Sequence, residues 1–329
     1  MQQDHKLGDD AVSVADLYYR LLLGRPMNGT EKESLQSEDL SGDLIGIIRG
    51  RVLDSEEFFM ANRETLLPKF FRKPCLVYAR TPLGQEILVD LRQLHLGFAM
   101  ASGDFEPAET AFIRQHVKRG MQICDIGANI GYYSTMFAAL TGDSGSVFCF
   151  EPVSDTFAYL KAAIERNGLQ HVAKLYRMAL SDADGDAEVV FERGGTNIGG
   201  AHLRFGATHS DRHLNFEKVP AFTLDTILAG RRIDFIKIDV EGAEPKVLAG
   251  AKRTLAACRP TIMIEFNENQ LRQVSQSASA ELVSFFDAIG YRLSSILGDG
   301  RTELLADPQT AISQLLSATG VCNCVASPK

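Results

Sequence analysis

Two kinds of hydrophobic spacing alternate along this chain. From about Val12 to Phe71 the spacing is helical. Ala15, Leu17, Tyr18, Leu21 and Leu22 form one stripe that ends at Gly24. Leu40, Leu44, Ile47, Ile48, Val52 and Leu53 form a second, and Asp54 or Ser55 is placed to cap a third before Phe58 and Phe59. Leu76–Arg80 and Gln85–Asp90 frame Thr-Pro-Leu-Gly84, a hairpin pattern. Pro107 to Val117 reads as a short amphipathic helix, with Gly120 just beyond it.

From Met121 onward short apolar runs alternate with helical segments. Strands are expected at 122–125, 147–151, 174–179, 187–191, 233–240, 261–265, 291–296 and 321–326. Helices are expected at 132–140, from Ser154 to Asn167-Gly168, at 245–257 and at 281–289. Such alternation predicts an α/β fold: a doubly wound, mostly parallel sheet with ligands at the carboxyl ends of its strands. The expected domains are a helical one over 1–72 and an α/β one over 73–329, joined by the basic and aromatic stretch Pro68–Pro74.

Composition narrows the class. With 45% hydrophobic and 23% charged residues, the chain reads as an ordinary soluble globular protein. A net charge of −8 argues against nucleic acid or an anionic membrane as a general partner. No apolar run is long enough to span a bilayer, and Met1-Gln-Gln-Asp-His lacks the pattern of a signal peptide. The six cysteines form no C-x-x-C pair; Cys322-Asn-Cys324 reads as a strand with both thiols on one face. A cytoplasmic location is the expectation.

Chemistry concentrates in two stretches. In Gln122-Ile-Cys-Asp-Ile-Gly-Ala-Asn-Ile-Gly-Tyr-Tyr-Ser134 a strand runs through Asp125 into a turn built on Gly127, Asn129 and Gly131. A dinucleotide fingerprint would have glycine where Asn129 stands, and Asp125 would repel a pyrophosphate. An acid there suits a ligand with an ammonium group. Glu151 ends the next strand, where an acid accepts from ribose hydroxyls. The combination favours S-adenosylmethionine over NAD(P). The second stretch is Ile236-Lys-Ile-Asp-Val-Glu-Gly-Ala-Glu244. Strand alternation puts Lys237, Asp239 and, where the strand runs that far, Glu241 on one face, and Glu265 ends the next strand. Charges on a central parallel strand are costly unless paired or used. Asp239, Glu241, Glu265 and Lys237 are therefore the candidate catalytic group. Lys237 reads best as a counter-ion, and Mg²⁺ on Asp239, Glu241 and Glu265 is the alternative to a direct base. His202, His209 and His213 lie in a glycine-containing, mobile-looking stretch from Gly194 to Asn215 that could cover an acceptor; as lone histidines they are poorer bases.

The order of these motifs resembles the FkbM family of S-adenosylmethionine-dependent methyltransferases. The resemblance runs through Gly103-Asp-Phe-Glu106, Asp125 to Ser134, Phe150-Glu-Pro152, Ala179-Leu-Ser-Asp182, Thr196-Asn-Ile-Gly199, Thr223-Leu-Asp225, Ile236 to Glu244, Pro260 to Glu265 and Gly290-Tyr-Arg292. It implies a class I (Rossmann-like) methyltransferase fold and O-methylation of a sugar, glycan or natural-product hydroxyl. It also implies a cofactor site extending to Glu106, Ala128, Tyr132, Pro152, Ala179, Leu180, Ser181 and Asp239. Many members carry a histidine soon after the acid that is Glu265 here; this chain has Phe266-Asn267. Leu17-Tyr-Tyr-Arg-Leu-Leu-Leu-Gly-Arg-Pro26 with Leu53-Asp-Ser-Glu-Glu-Phe58 resembles a small bacterial helical domain of uncharacterised role, which implies docking to a protein partner; a helical cap packed on the enzyme is the alternative. The competing functions are an NAD(P)-dependent oxidoreductase and a non-catalytic binding protein that works through its helical domain.

Overall fold

A computed structural model describes residues 16, 19–20, 25–36, 75–91, 93, 96–97, 99–103, 105–192, 202–204 and 214–329. The chain divides into two compact units, Met1–Cys75 and Leu76–Lys329. In the first, most of the expected helices lie outside the described residues. Helix α1 (Gly29–Gln36) is described, and no hydrophobic stripe had marked it. Asn28 and Glu31 hold its start: the Asn28 side chain accepts from Glu31 N at 2.9 Å, and the Glu31 carboxylate accepts from Asn28 N at 2.8 Å.

The second unit begins with the hairpin β1 (Leu76–Arg80) and β2 (Glu86–Asp90), paired antiparallel as the turn predicts. Helix α2 (Pro107–His116) leads to β3 (Gln122–Ile126), α3 (Tyr132–Thr141), β4 (Ser146–Phe150), α4 (Ser154–Arg166) and β5 (Ala173–Tyr176). A small sheet follows: β6 (Ala179–Leu180), β7 (Gly185–Glu192), β8 (His202–Arg204) and β9 (Leu214–Phe222), in the order β6-β9-β7-β8. The chain then runs through α5 (Leu224–Ile227), β10 (Phe235–Ile238), α6 (Glu244–Ala249), α7 (Lys252–Cys258) and β11 (Thr261–Phe266). It closes with α8 (Ser279–Ala288), β12 (Tyr291–Ile296), β13 (Thr302–Leu304), α9 (Pro308–Thr319) and β14 (Cys322–Pro328).

The main sheet has the order β13-β12-β14-β11-β10-β3-β4-β5. Its β11-β10-β3-β4-β5 half is parallel, and β14, β12 and β13 pair antiparallel. The order reverses between β3 and β10, which is where a doubly wound sheet opens a ligand crevice. This is the class I methyltransferase arrangement.

Alternation along the central strands divides the core in two. Ile123, Val147, Cys149, Phe235 and Met263 face Phe112, Ile113, Met136 and Phe137 of α2 and α3. Cys124, Ile126, Phe148, Ile236, Ile238 and Ile264 face Val247, Leu255, Leu282, Phe286 and Ile312 on the opposite side. Asp125 and Lys237 share the parity of Ile123 and Phe235. They therefore belong to the α2/α3 face, at its carboxyl end.

Four expectations need correction. The strand expected at 174–179 is two strands in two sheets: β4 ends at Phe150, the last bond across that edge is Glu151 N to Tyr176 O at 3.1 Å, and β6 then pairs with β9. The helix expected at 245–257 is α6 and α7, because the buried Asp225 carboxylate caps a new start, accepting from Arg253 N at 2.8 Å and Thr254 N at 2.7 Å. The strand expected at 233–240 stops at Ile238. The Gly194–Asn215 stretch contains β8 and the start of β9; residues 193–201 and 205–213 lie outside the described residues, His209 and His213 among them. Helix α9 carries clear signals that the hydrophobic pattern alone did not expose. Asp307 accepts from Thr310 N at 3.2 Å, Pro308 opens the first turn and Gly320 ends it. Among the described residues no helix is long and apolar enough to cross a membrane.

Candidate active site

The turn after β3 is built on the chain itself. Gly127 N and Ala128 N donate to Phe150 O at 3.0 and 2.9 Å, and Asn129 N donates to Glu151 Oε2 at 3.0 Å. Gly127 has φ +81°, and a Cβ there would lie 1.8 Å from Asp239 O. This glycine thus serves the close approach of the β10 end. The nearest surface to Gly127 is the neighbouring strand end. Asn129 also takes the left-handed conformation, φ 49°, which asparagine tolerates. Gly131 starts α3, and Tyr132 and Tyr133 are buried behind it.

Glu151 and Asp125 end adjacent parallel strands. Glu151 accepts from Asn129 N with one oxygen and from Val153 N, at 2.9 Å, with the other. Burial pushes its carboxyl up to about 7 against those bonds. Asp125 is fully buried and accepts from Ser134 Oγ at 2.5 Å, while its Oδ1 has no partner. Burial raises it to about 6, and Lys237 opposes the rise. The buried Asn129 Oδ1 is unpartnered too. Two orphaned acceptors beside one turn are the kind of vacancy in hydrogen bonding that a donor-bearing ligand resolves. Pro152 follows Glu151 and is half-buried, whereas Ala179, Leu180 and Ser181 are buried, with Ser181 N bonded to Phe222 O at 2.9 Å.

Lys237 sits within this wall. It lies opposite Asp125 in the β10–β3 register, donates to Asp239 Oδ2 at 2.9 Å and places its ammonium 5.1 Å from the Tyr133 ring centre. Burial alone would lower its pKa, but Asp239, Asp125 and Glu106 overcome that and hold it above the usual lysine range. The counter-ion reading of Lys237 agrees with this geometry. Glu106, with φ 43°, receives the Tyr133 hydroxyl; burial, then Asp239, raise it to about 7. Tyr132 Oη instead pairs with Thr110 Oγ1 at 3.1 Å.

The second group of acids lies at the ends of β10 and β11, which are neighbours as expected. Asp239 N donates to Ile126 O at 3.0 Å, and its carboxylate turns to Lys237. Glu241 does not continue that strand face. The chain has already turned, Glu241 adopts φ 54°, and its carboxylate receives Gln270 Nε2. Glu265 is close enough to feel Asp239, Glu241 and Glu244. Burial and these like charges raise the carboxyls of both Glu241 and Glu265. The Mg²⁺ reading finds no ready cage: Asp239 turns to Lys237 and Glu241 to Gln270. Among the described residues, no three His, Cys, Asp or Glu side chains are grouped so as to hold an ion.

Three contributors escaped the sequence reading. Tyr133 follows Tyr132 inside the glycine motif, but only the fold shows that its hydroxyl serves Glu106. Glu244 is buried and accepts from Val240 N at 3.0 Å and Gly242 N at 3.2 Å; an acid directly before Pro245 was a usable sign of a helix start. Gln270 carried no signal, since its partner is 29 residues away. Asn267 caps the turn that carries Gln270 by accepting from Gln270 N at 3.3 Å.

Comparison with known proteins agrees with the motif order. The methyltransferase FkbM domain pattern matches residues 125–293. The 2-O-methyltransferase NoeI of Sinorhizobium fredii is 26% identical over 236 residues, covering 66% of this chain and 94% of that protein. A methyltransferase FkbM structure from Methylobacillus flagellatus aligns at TM-score 0.41 and 13% identity, over 94% of this chain and 58% of that chain. The O-methyltransferase from Bacillus cereus, solved with S-adenosylhomocysteine, aligns at TM-score 0.39 and 14% identity, over 72% of this chain and 88% of that one. The chain belongs to the FkbM methyltransferase family.

Proposed function

We propose that this protein transfers the methyl group of S-adenosylmethionine to a hydroxyl oxygen of a sugar, glycan or natural-product acceptor. The observation that carries the reading is the row of carboxyls at the ends of four adjoining strands: Asp125, Glu151, Asp239 and Glu265, with Glu241 in the following turn. One buried lysine cannot balance them. A ligand carrying both a sulfonium and an ammonium suits such a wall. The oxygen acceptor is supported by the name of the NoeI relative, a 2-O-methyltransferase.

Glu151 would accept from the ribose hydroxyls on its free lone pairs, since its backbone bonds use only one per oxygen. Asp125 Oδ1 and Asn129 Oδ1 offer unused acceptors on the methionine side. Glu106, Gly127, Ala128, Gly131, Tyr132, Pro152 and Ala179–Ser181 complete the enclosure. S-adenosylmethionine supplies an electrophilic methyl on a positively charged sulfur. The acceptor's hydroxyl oxygen forms the new C–O bond as the C–S bond breaks. Its proton passes to the Glu241–Glu265 pair, which must first be in a state able to accept it. Lys237 fixes Asp239 and limits repulsion within the group.

The test is transfer from methyl-labelled S-adenosylmethionine to a panel of glycosides, polyols, amines and thiols. Label recovered as an O-methyl ether supports the reading. Label recovered only on nitrogen or sulfur acceptors overturns it.

A further inference from the structure

The turn Asp239–Glu244 is held from one side by a single element. Glu268–Gln270 forms one helical turn and runs into the π-helical turn Leu271–Ser275. π-turns interrupt a regular ladder and often mark functional positions. Here the irregular turn grips Gly242. A Cβ on Gly242 would lie 2.4 Å from Gln270 O and 3.0 Å from Val274 Cβ, and Ser275 Oγ donates to Gly242 O at 2.6 Å. Leu271 is fully buried, which anchors the element in the core. From this platform Gln270 sends its amide Nε2 to Glu241, a non-glycine residue in the left-handed conformation. The other end of the same amide, Oε1, is buried and has no partner.

We infer that Gln270 is a positioning residue that holds the Glu241 carboxyl in place both before and after it takes a proton. The inference rests on the reading of Glu241 as part of the acceptor's base. An amide has a donor and an acceptor on one planar group. Its N–H₂ serves the carboxylate. After protonation, rotation of the amide offers Oε1 to the new carboxylic O–H. A lysine or arginine could serve only the charged form. A positive charge there would also hold Glu241 ionised and weaken it as a base. Gln270 keeps the base neutral-paired, and Ser275 and Glu244 hold the backbone that carries it.

The charged groups facing Glu241 are Asp239, Glu244 and Lys237, and Glu265 of β11 lies near enough to feel its charge. Removing the Gln270 donor leaves Lys237 alone to oppose the repulsion from Asp239 and Glu244, so the titration of Glu241 should move to higher pH. The experiment is ¹³C NMR of the full chain labelled at glutamate side-chain carboxyls. The resonance missing from Glu241→Gln identifies Glu241. Gln270→Leu should raise its midpoint by about one pH unit or more, the size expected for losing a charged hydrogen bond. Gln270→Glu should raise it further by adding a like charge. Circular dichroism and S-adenosylhomocysteine affinity, both expected to be unchanged, verify the fold.

An unchanged midpoint in a folded Gln270→Leu protein overturns the inference, as does a Gln270→Glu midpoint at or below the original. A fully active Glu241→Gln protein is a different outcome. It removes Glu241 from catalysis, and with it the positioning role, even if the midpoint shifts. The two failures are therefore distinguishable.

Discussion

Lys237 and Asp125 face each other across two central parallel strands, on a sheet face otherwise packed with apolar residues from α2 and α3. A buried lysine next to a buried aspartate, and 2.9 Å from a second acid, is a local neutralising device. It lets a parallel sheet carry carboxyls where its strands end. The first expectation concerns this lysine. Lys237→Met should lower unfolding stability by about 3 kcal/mol, since it leaves buried acids unpaired. The companion change Asp239→Asn in the same chain should recover part of that loss. Denaturant titration measures both, and an additive double variant would contradict the pairing.

A second expectation is a dependence of stability on pH in the unliganded protein. Glu106, Glu151 and Glu244 are raised to about 7 and Asp125 to about 6, in each case mainly by burial. The unfolded chain releases these protons near pH 4. Between about pH 4 and pH 7 the folded state therefore holds more protons than the unfolded one, and stability falls as pH rises. Acids with lowered values, such as Asp225 and Glu268, act in the opposite sense and only below about pH 4. Thermal unfolding should give a higher midpoint near pH 5.5 than near pH 8. A higher midpoint at pH 8 would show that the acid wall is not strained by burial.

Glu241→Gln preserves shape and removes the ionisable group. Turnover should drop by about 10² or more, the usual contribution of a general base, while S-adenosylhomocysteine affinity stays within about twofold. Equal losses of both would mean that Glu241 helps hold the cofactor.

Much of the fold was legible because its strands are short buried apolar runs that end at acids. The hairpin at Thr-Pro-Leu-Gly84 and the strand–turn–helix at Asp125 were readable from local chemistry alone. What escaped was decided by partners distant in sequence. Nothing near Tyr176 announces that the next residues join another sheet; that follows from where β4 stops. Glu241 looked like a continuation of the Lys237–Asp239 face, but Glu244 and Ser275 turn the backbone before it. Gln270 became visible only once Gly242 was seen against it. The acids that the fold brings to these strand ends were thus readable as a group, and their mutual contacts were not.

The division of the chain gives a further expectation. Every acid of the candidate site lies in Leu76–Lys329, so that segment alone should bind S-adenosylhomocysteine about as well as the whole chain. Calorimetry on the two proteins compares them directly. A folded segment with at least a tenfold loss would assign part of the cofactor site to residues 1–75.

The central claim is that the β3–β4 strand ends hold S-adenosylmethionine. The most direct measurement is a calorimetric titration of the full chain and its Glu151→Ala variant with S-adenosylhomocysteine, with NAD as the comparison ligand. The account predicts saturable one-site binding of S-adenosylhomocysteine and none of NAD. It also predicts at least tenfold weaker binding by Glu151→Ala, from the loss of charged hydrogen bonds of about 1.5–3 kcal/mol. Binding of NAD instead, or a folded Glu151→Ala protein with unchanged affinity for S-adenosylhomocysteine, would contradict it.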